Sequence, residues 1–145
     1  MLHPAKVGEF CTPKEVADRM ITLARKNHLS QLRLSGGEPS IGKTHMLQLL
    51  DILRDKGFSF ILETNGIPIA CDKSYAKDLS KRDFIHVRVS LKGCNEEEFS
   101  LLTSAKPEGF RLQLLSLENL DKEGVNCHPA IMTSFSTRKN LQTLT

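Results

Sequence analysis

Apolar positions recur along this chain with two periods, and the two alternate. Val16, Met20, Leu23 and Ala24 stand three or four apart, which predicts a helix over residues 13–28. Its start carries a capping box. Thr12 can accept from the Glu15 amide, and Pro13 takes the first helical position, where no N–H is needed. Residues 31–35 then alternate like a short strand and stop at Gly36-Gly37-Glu38-Pro39. Met46, Leu47, Leu50 and Leu53 form the stripe of a second helix over 44–56, with Gly57 suited to follow its end. Residues 58–63 read as a strand ending in Thr64-Asn65-Gly66, and 74–79 as a short helix. The clearest strand is 84–92. A helical pair, 95–103 and 108–123, is broken at Pro107 and closed by Gly124, and a last strand covers 127–133. Residues 135–145 show no period and read as a loosely ordered tail after a domain of residues 1–134.

Strands separated by helices imply parallel pairing through right-handed crossovers. In strand 84–92, Ile85, Val87, Val89 and Leu91 share one face, while His86, Arg88, Ser90 and Lys92 share the other. A flat sheet covered on both sides would be apolar on both faces. One polar face suits a curved sheet whose inner side carries a ligand site, and the polar groups at strand C-terminal ends become the candidates. Arg33 and Ser35 repeat the asymmetry in the first strand. His86 and Arg88 read better as a satisfied interior network than as ligands. His128, with Ala130 and Met132, falls on the same face. His45 reads as a solvated helix residue.

Composition narrows this little. The chain has 145 residues, with 20 Lys+Arg against 17 Asp+Glu, a net charge of +3. That length suits one domain with a sizeable core. No basic run marks a nucleic-acid footprint, and no apolar run approaches a membrane span or a signal peptide, so the expected compartment is the cytoplasm. Cys11, Cys71, Cys94 and Cys127 are too scattered for a CxxC, zinc or haem spacing.

Residues 37–44, Gly37-Glu38-Pro39-Ser40-Ile41-Gly42-Lys43-Thr44, match the P-loop pattern between a strand and a helix. Physics opposes that reading. A P-loop cradles phosphates with successive N–H groups, and Pro39 removes one. Glu38 would set a carboxylate beside the phosphates. Like charges about 4 Å apart cost on the order of 4 kcal/mol at an effective dielectric of 20.

The strand end Gly36-Gly37-Glu38-Pro39 instead resembles the cofactor-binding edge of the radical SAM family. Glu63-Thr64-Asn65-Gly66 resembles that family's third-strand ending, and Ser90-Leu91-Lys92 its fourth. The three motifs occur in family order, and the resemblance spans roughly residues 3–134, including His3 to Phe10. It implies an α/β fold, an incomplete (β/α) barrel of about four parallel strands with outer helices. It implies that S-adenosylmethionine is the cofactor. Gly36, Gly37, Glu38 and Pro39 would lie at the methionine amino end, with Glu38 and the glycine carbonyls as acceptors or as the frame of the turn. Glu63 and Asn65 would lie near the methionine or ribose, and Ser90 and Lys92 at the ribose hydroxyls and the carboxylate.

The family also holds a [4Fe–4S] cluster on a CxxxCxxC loop, which this sequence lacks. The expectation is therefore a core fragment of a radical SAM enzyme, with no cluster bound by this chain alone and the substrate open. Neither a catalytic residue nor a metal ligand is singled out. Self-association through open sheet edges is expected. The alternatives are a non-catalytic paralogue binding S-adenosylmethionine or a protein partner, and a P-loop nucleotide-binding protein.

Overall fold

A computed structural model describes residues 9–142. The His3 to Phe10 segment therefore lies mostly outside the described residues. Helix α1, Pro13–Lys26, begins with the expected capping box: the Glu15 N–H donates to Thr12 Oγ1 at 3.2 Å, and the Thr12 N–H donates to Glu15 Oε2 at 2.7 Å. Strand β1, Gln31–Leu34, leads through a 3₁₀ turn at Pro39–Ile41 into α2, Lys43–Leu53. Helix α2 stops before residue 56 because Asp55 and Gly57 both take positive φ. Strand β2, Ser59–Thr64, is followed by α3, Ile67–Cys71, and α4, Lys73–Leu79. Strand β3, Ile85–Lys92, precedes α5, Glu96–Thr103, and α6, Glu108–Lys122. Strand β4, Cys127–Met132, and α7, Arg138–Leu141, complete the described chain.

The four strands form one sheet in the order β1-β2-β3-β4, each pair parallel. The α/β fold with four parallel strands and surrounding helices is therefore as expected. Leu32, Phe60, Leu62, Ile85, Val87 and Val89 pack from the sheet against Leu49, Leu50, Tyr75, Ala76 and Leu120 of the helices. Each fully buried aliphatic or aromatic side chain stabilises the fold by roughly 1.5–3 kcal/mol relative to exposure. Along β3 burial alternates residue by residue, with Ile85, Val87, Val89 and Leu91 inside.

The register aligns the other face. Arg33 stands beside Ile61, Ile61 beside His86, Glu63 beside Arg88, and Arg88 beside His128. This face is polar as expected, but its Arg33 and His128 are exposed and not interior.

Two short helices have no counterpart in the sequence reading. Helix α3 is a five-residue apolar run, Ile67-Pro68-Ile69-Ala70-Cys71, too short to show a period. Helix α7 is capped by Thr137, whose Oγ1 accepts from the Asn140 N–H at 3.2 Å. Ser136 and the Asn140 side chain both donate to Glu98, which fixes this segment to the start of α5.

Candidate strand-end cleft

The C-terminal ends of β1, β2 and β3 are bound together by two polar side chains. The first is Glu38. Its Oε1 accepts from the Ser40 N–H at 3.1 Å, the Ser40 hydroxyl at 2.6 Å and the Thr64 hydroxyl at 2.6 Å. Its Oε2 accepts from the Asn65 N–H at 2.6 Å. One carboxylate thus links the turn after β1 to the end of β2. The second is Gln113 on α6, which is fully buried. Its Nε2 donates to the Asn65 carbonyl at 2.9 Å and the Ser90 carbonyl at 2.8 Å, and its Oε1 accepts from the Lys92 N–H at 3.3 Å. That amide links β2 to β3.

Between these ties lies a cleft of about 180 Å³ lined by Gly36, Gly37, Glu38, Glu63, Thr64, Asn65, Ser90 and Lys92. Seven of the eight residues singled out in sequence therefore meet at one place. Pro39 does not line it and opens the 3₁₀ turn. Sequence reasoning missed Thr64 and Gln113. Thr64 sits inside the motif as an apparent bystander. Gln113 carried a signal, a polar residue on the buried stripe of α6 between Phe110 and Leu120.

The lining groups differ in what they have left to offer a ligand. Glu63 is paired with two guanidiniums, since Arg33 and Arg88 both donate to its Oε1. The Arg33 bond, then the Arg88 bond, holds its carboxyl below the usual glutamate range. Asn65 Oδ1 accepts from the Ile67 N–H at 2.9 Å and shapes the turn. Lys92 makes no ion pair with another described residue, and neither its ammonium nor the Ser90 hydroxyl has a partner among them. The Gly36 and Gly37 carbonyls accept no backbone hydrogen bond from a described residue. Both glycines take positive φ, 92° and 56°, which turns the backbone sharply after β1. The cleft thus offers an ammonium, a hydroxyl and bare carbonyls. That set complements an amino-acid zwitterion with adjacent hydroxyls.

The P-loop residues are arranged otherwise. Lys43 Nζ lies 2.9 Å from both Asp72 and Asp78 and donates to Ser74 Oγ at 2.6 Å. Burial lowers its pKa, but the bonds to Asp72 and Asp78 outweigh that and raise it overall. The Ser40 and Ile41 N–H groups both donate to Glu38. Two N–H groups of the loop and its lysine are thus already engaged within the chain. A larger groove of about 520 Å³ beside Cys94 presents Glu96 and Glu97, and Arg111 there pairs with Glu96. It lies apart from the strand-end motifs. Among the described residues no three His, Cys, Asp or Glu side chains gather as a metal site, and no helix is long and apolar enough to cross a membrane.

A parallel α/β sheet with a polar cleft at its strand C-terminal ends has the architecture of α/β proteins that place their sites at that edge. The model of the radical SAM superfamily matches residues 5–137. This chain belongs to that superfamily.

It is 29% identical over 91 residues to a candidate glycyl-radical enzyme activating enzyme of Methanocaldococcus jannaschii, covering 62% of this chain and 32% of that protein. It is 26% identical over 111 residues to a candidate GTP 3',8-cyclase of Thermococcus kodakarensis, covering 77% and 34%. The fold matches crystal structures of Streptococcus suis SuiB at 18% identity. With S-adenosylmethionine bound, the TM-score is 0.78 over 97% of this chain and 32% of that one. With the precursor peptide SuiA bound, it is 0.78 over 99% and 31%. The chain thus spans about a third of the length of the proteins it matches.

Proposed function

We propose that this chain is the S-adenosylmethionine-binding core of a radical SAM enzyme. The observation that carries the reading is the convergence of three motif-bearing strand ends on one cleft. Its volume of about 180 Å³ is below the roughly 300–1,000 Å³ of a full ligand pocket. It suits the amino-acid end of the cofactor, with the nucleoside lying outside it. In this assignment the bare carbonyls of Gly36 and Gly37 accept from the methionine ammonium. Lys92 pairs with the methionine carboxylate as a flexible point charge. Ser90 and Asn65 reach the ribose. Glu38 holds the strand ends in place: three donors fill its Oε1, while Oε2 accepts only from the Asn65 N–H and keeps a lone pair beside the cleft for the same ammonium.

S-adenosylmethionine in this superfamily supplies a sulfonium that is cleaved by one-electron reduction from a [4Fe–4S] cluster. The described residues do not fit that cluster. Cys11, Cys71, Cys94 and Cys127 stand singly, and Cys94 is buried against Ser136. The thiolates for it come from outside these residues, and the enzyme's activity belongs to the assembly that includes them. The same reading covers partners. The β1 and β4 edges are unpaired among the described strands, and Ile131 and Met132 on β4 are 39% and 38% exposed. Such edges favour association. Light scattering is expected to find species larger than the monomer, and a strictly monomeric chain would overturn this part.

Calorimetric titration tests the cofactor assignment. S-adenosylmethionine is expected to bind, Lys92→Met and Ser90→Ala to weaken it, and ATP–Mg not to bind. Binding of ATP–Mg in its place, lost in Lys43→Met, would favour the P-loop reading.

A further inference from the structure

The polar face of the sheet next to the cleft carries an unusual constellation. Arg33 on β1 and Arg88 on β3 reach across β2 from opposite sides and meet at one atom, Glu63 Oε1. Each guanidinium engages Glu63 through a single nitrogen, and the rest of each five-donor fork has no partner among the described residues. The two side chains remain 53% and 40% exposed, whereas Glu63 is 20% exposed. Two planar forks are thus fixed side by side with their remaining donors open.

The neighbours are of the same character. His86 and His128 lie on this face one step along the register, with Nε2 and Nδ1 2.5 Å apart. Counting the outward positions of the four strands, three cations (Arg33, Arg88 and Lys92) face a single anion, Glu63. Glu63 also lines the cofactor cleft. The paired forks therefore abut the place where the cofactor is proposed to sit.

We infer that this face is an oxyanion subsite and that the substrate carries a carboxylate or phosphate group held by Arg33 and Arg88. The inference rests on the cofactor reading above, which makes this the substrate side of the cleft. Guanidinium forks bind such groups bidentately, and charge-assisted pairs are the strong ones. Glu63 fixes both forks before the substrate arrives, so little side-chain freedom is lost on binding. The His86–His128 pair, with one N–H spent between the rings, leaves one further N–H donor at the edge.

The test is an NMR titration of the isotopically labelled full chain with inorganic phosphate and, separately, succinate. S-adenosylmethionine is titrated in a parallel sample. Saturable shifts of the Arg33 and Arg88 side-chain resonances are expected with at least one probe, and the probe that binds tells phosphate from carboxylate. Arg33→Met and Arg88→Met are each expected to weaken binding about tenfold. Arg88→Lys, which keeps the charge and loses the fork, guards against a folding defect and is expected to weaken it several-fold. Lys14→Met, on the far surface of α1, leaves it unchanged. Saturation by neither probe, or equal affinity in the arginine variants, overturns the subsite. If S-adenosylmethionine shifts Ser90 and Lys92 while the probes do nothing, the subsite falls alone. If the probes bind and S-adenosylmethionine does not, the cofactor reading falls and takes the substrate assignment with it.

Discussion

Glu38 is the residue on which this site turns, and its task is mechanical. Four donors converge on one carboxylate, and two of the residues involved, Ser40 and Thr64, are buried. Hydrogen bonds to a charged group contribute roughly 1.5–3 kcal/mol, and a buried donor left alone costs roughly 1–3. Glu38→Ala is therefore expected to lower unfolding stability by about 3 kcal/mol in urea. Glu38→Gln is expected to cost less, because one oxygen is kept. An alanine variant within about 0.5 kcal/mol of the parent, the range of an ordinary surface change, would refute this role. The motif was legible in sequence, as was a framing role in its own turn, but the staple to β2 was not. Its partners Thr64 and Asn65 lie 26 and 27 residues away, and only the register of β1 on β2 brings them near.

At the level of elements, the strands and long helices followed from periodicity, because a half-buried helix or strand must alternate apolar and polar positions. The polar face of β3 was legible for the same reason, but Arg88 there, paired with Glu63 through one nitrogen and 40% exposed, is not the satisfied interior group expected. What periodicity could not give was the five-residue α3 or the packing of α6 onto the β2 end. That packing is tight at Gly66. A Cβ there would come within 2.2 Å of Ser116 Oγ and 3.0 Å of Val89 Cγ1, and φ is +81°. Gly66→Ala combines a left-handed backbone penalty with overpacking, so a loss of about 2–4 kcal/mol is expected from denaturant melts. Removing the obstructing hydroxymethyl in Gly66→Ala/Ser116→Gly should recover part of it. Non-additivity in the double-mutant cycle is the readout, and strict additivity would exclude the contact.

Across the whole molecule, paired carboxylates set the response to acid. The bonds from Lys81 and then Lys43 hold the Asp78 carboxyl down to about 2. Those from Arg33 and Arg88 lower Glu63, and those from Asn140 and Ser136 lower Glu98. A carboxylate with a lowered folded-state pKa contributes stability that is present above its unfolded value and lost as pH falls through the folded one. Stability is thus expected to fall from about pH 4.5 downward, with the Asp78 share lost last, near pH 2. A smaller decline begins nearer 6.5. Burial first, and then His128, lowers the His86 pKa, so the unfolded chain takes up its proton earlier. Urea midpoints across a pH series check this. Asp78→Asn should flatten the lowest part of the curve, and His86→Gln the part near 6.5. An unchanged profile in either would refute that assignment.

The carboxylate that staples β1 to β2 also limits what an assay at that position can mean. A substitution of Glu38 removes the acceptor of the Asn65 N–H and is expected to loosen the turn that presents the Gly36 and Gly37 carbonyls. Lost ligand affinity would then follow whether or not the side chain ever meets a ligand. The best-known letter of the signature is therefore the least informative place to look for cofactor contact. A chain could keep it for architecture alone long after any chemistry was gone, so presence of the signature diagnoses a shape, and Lys92 and Ser90, which staple nothing, are the cleaner places to test ligand contact.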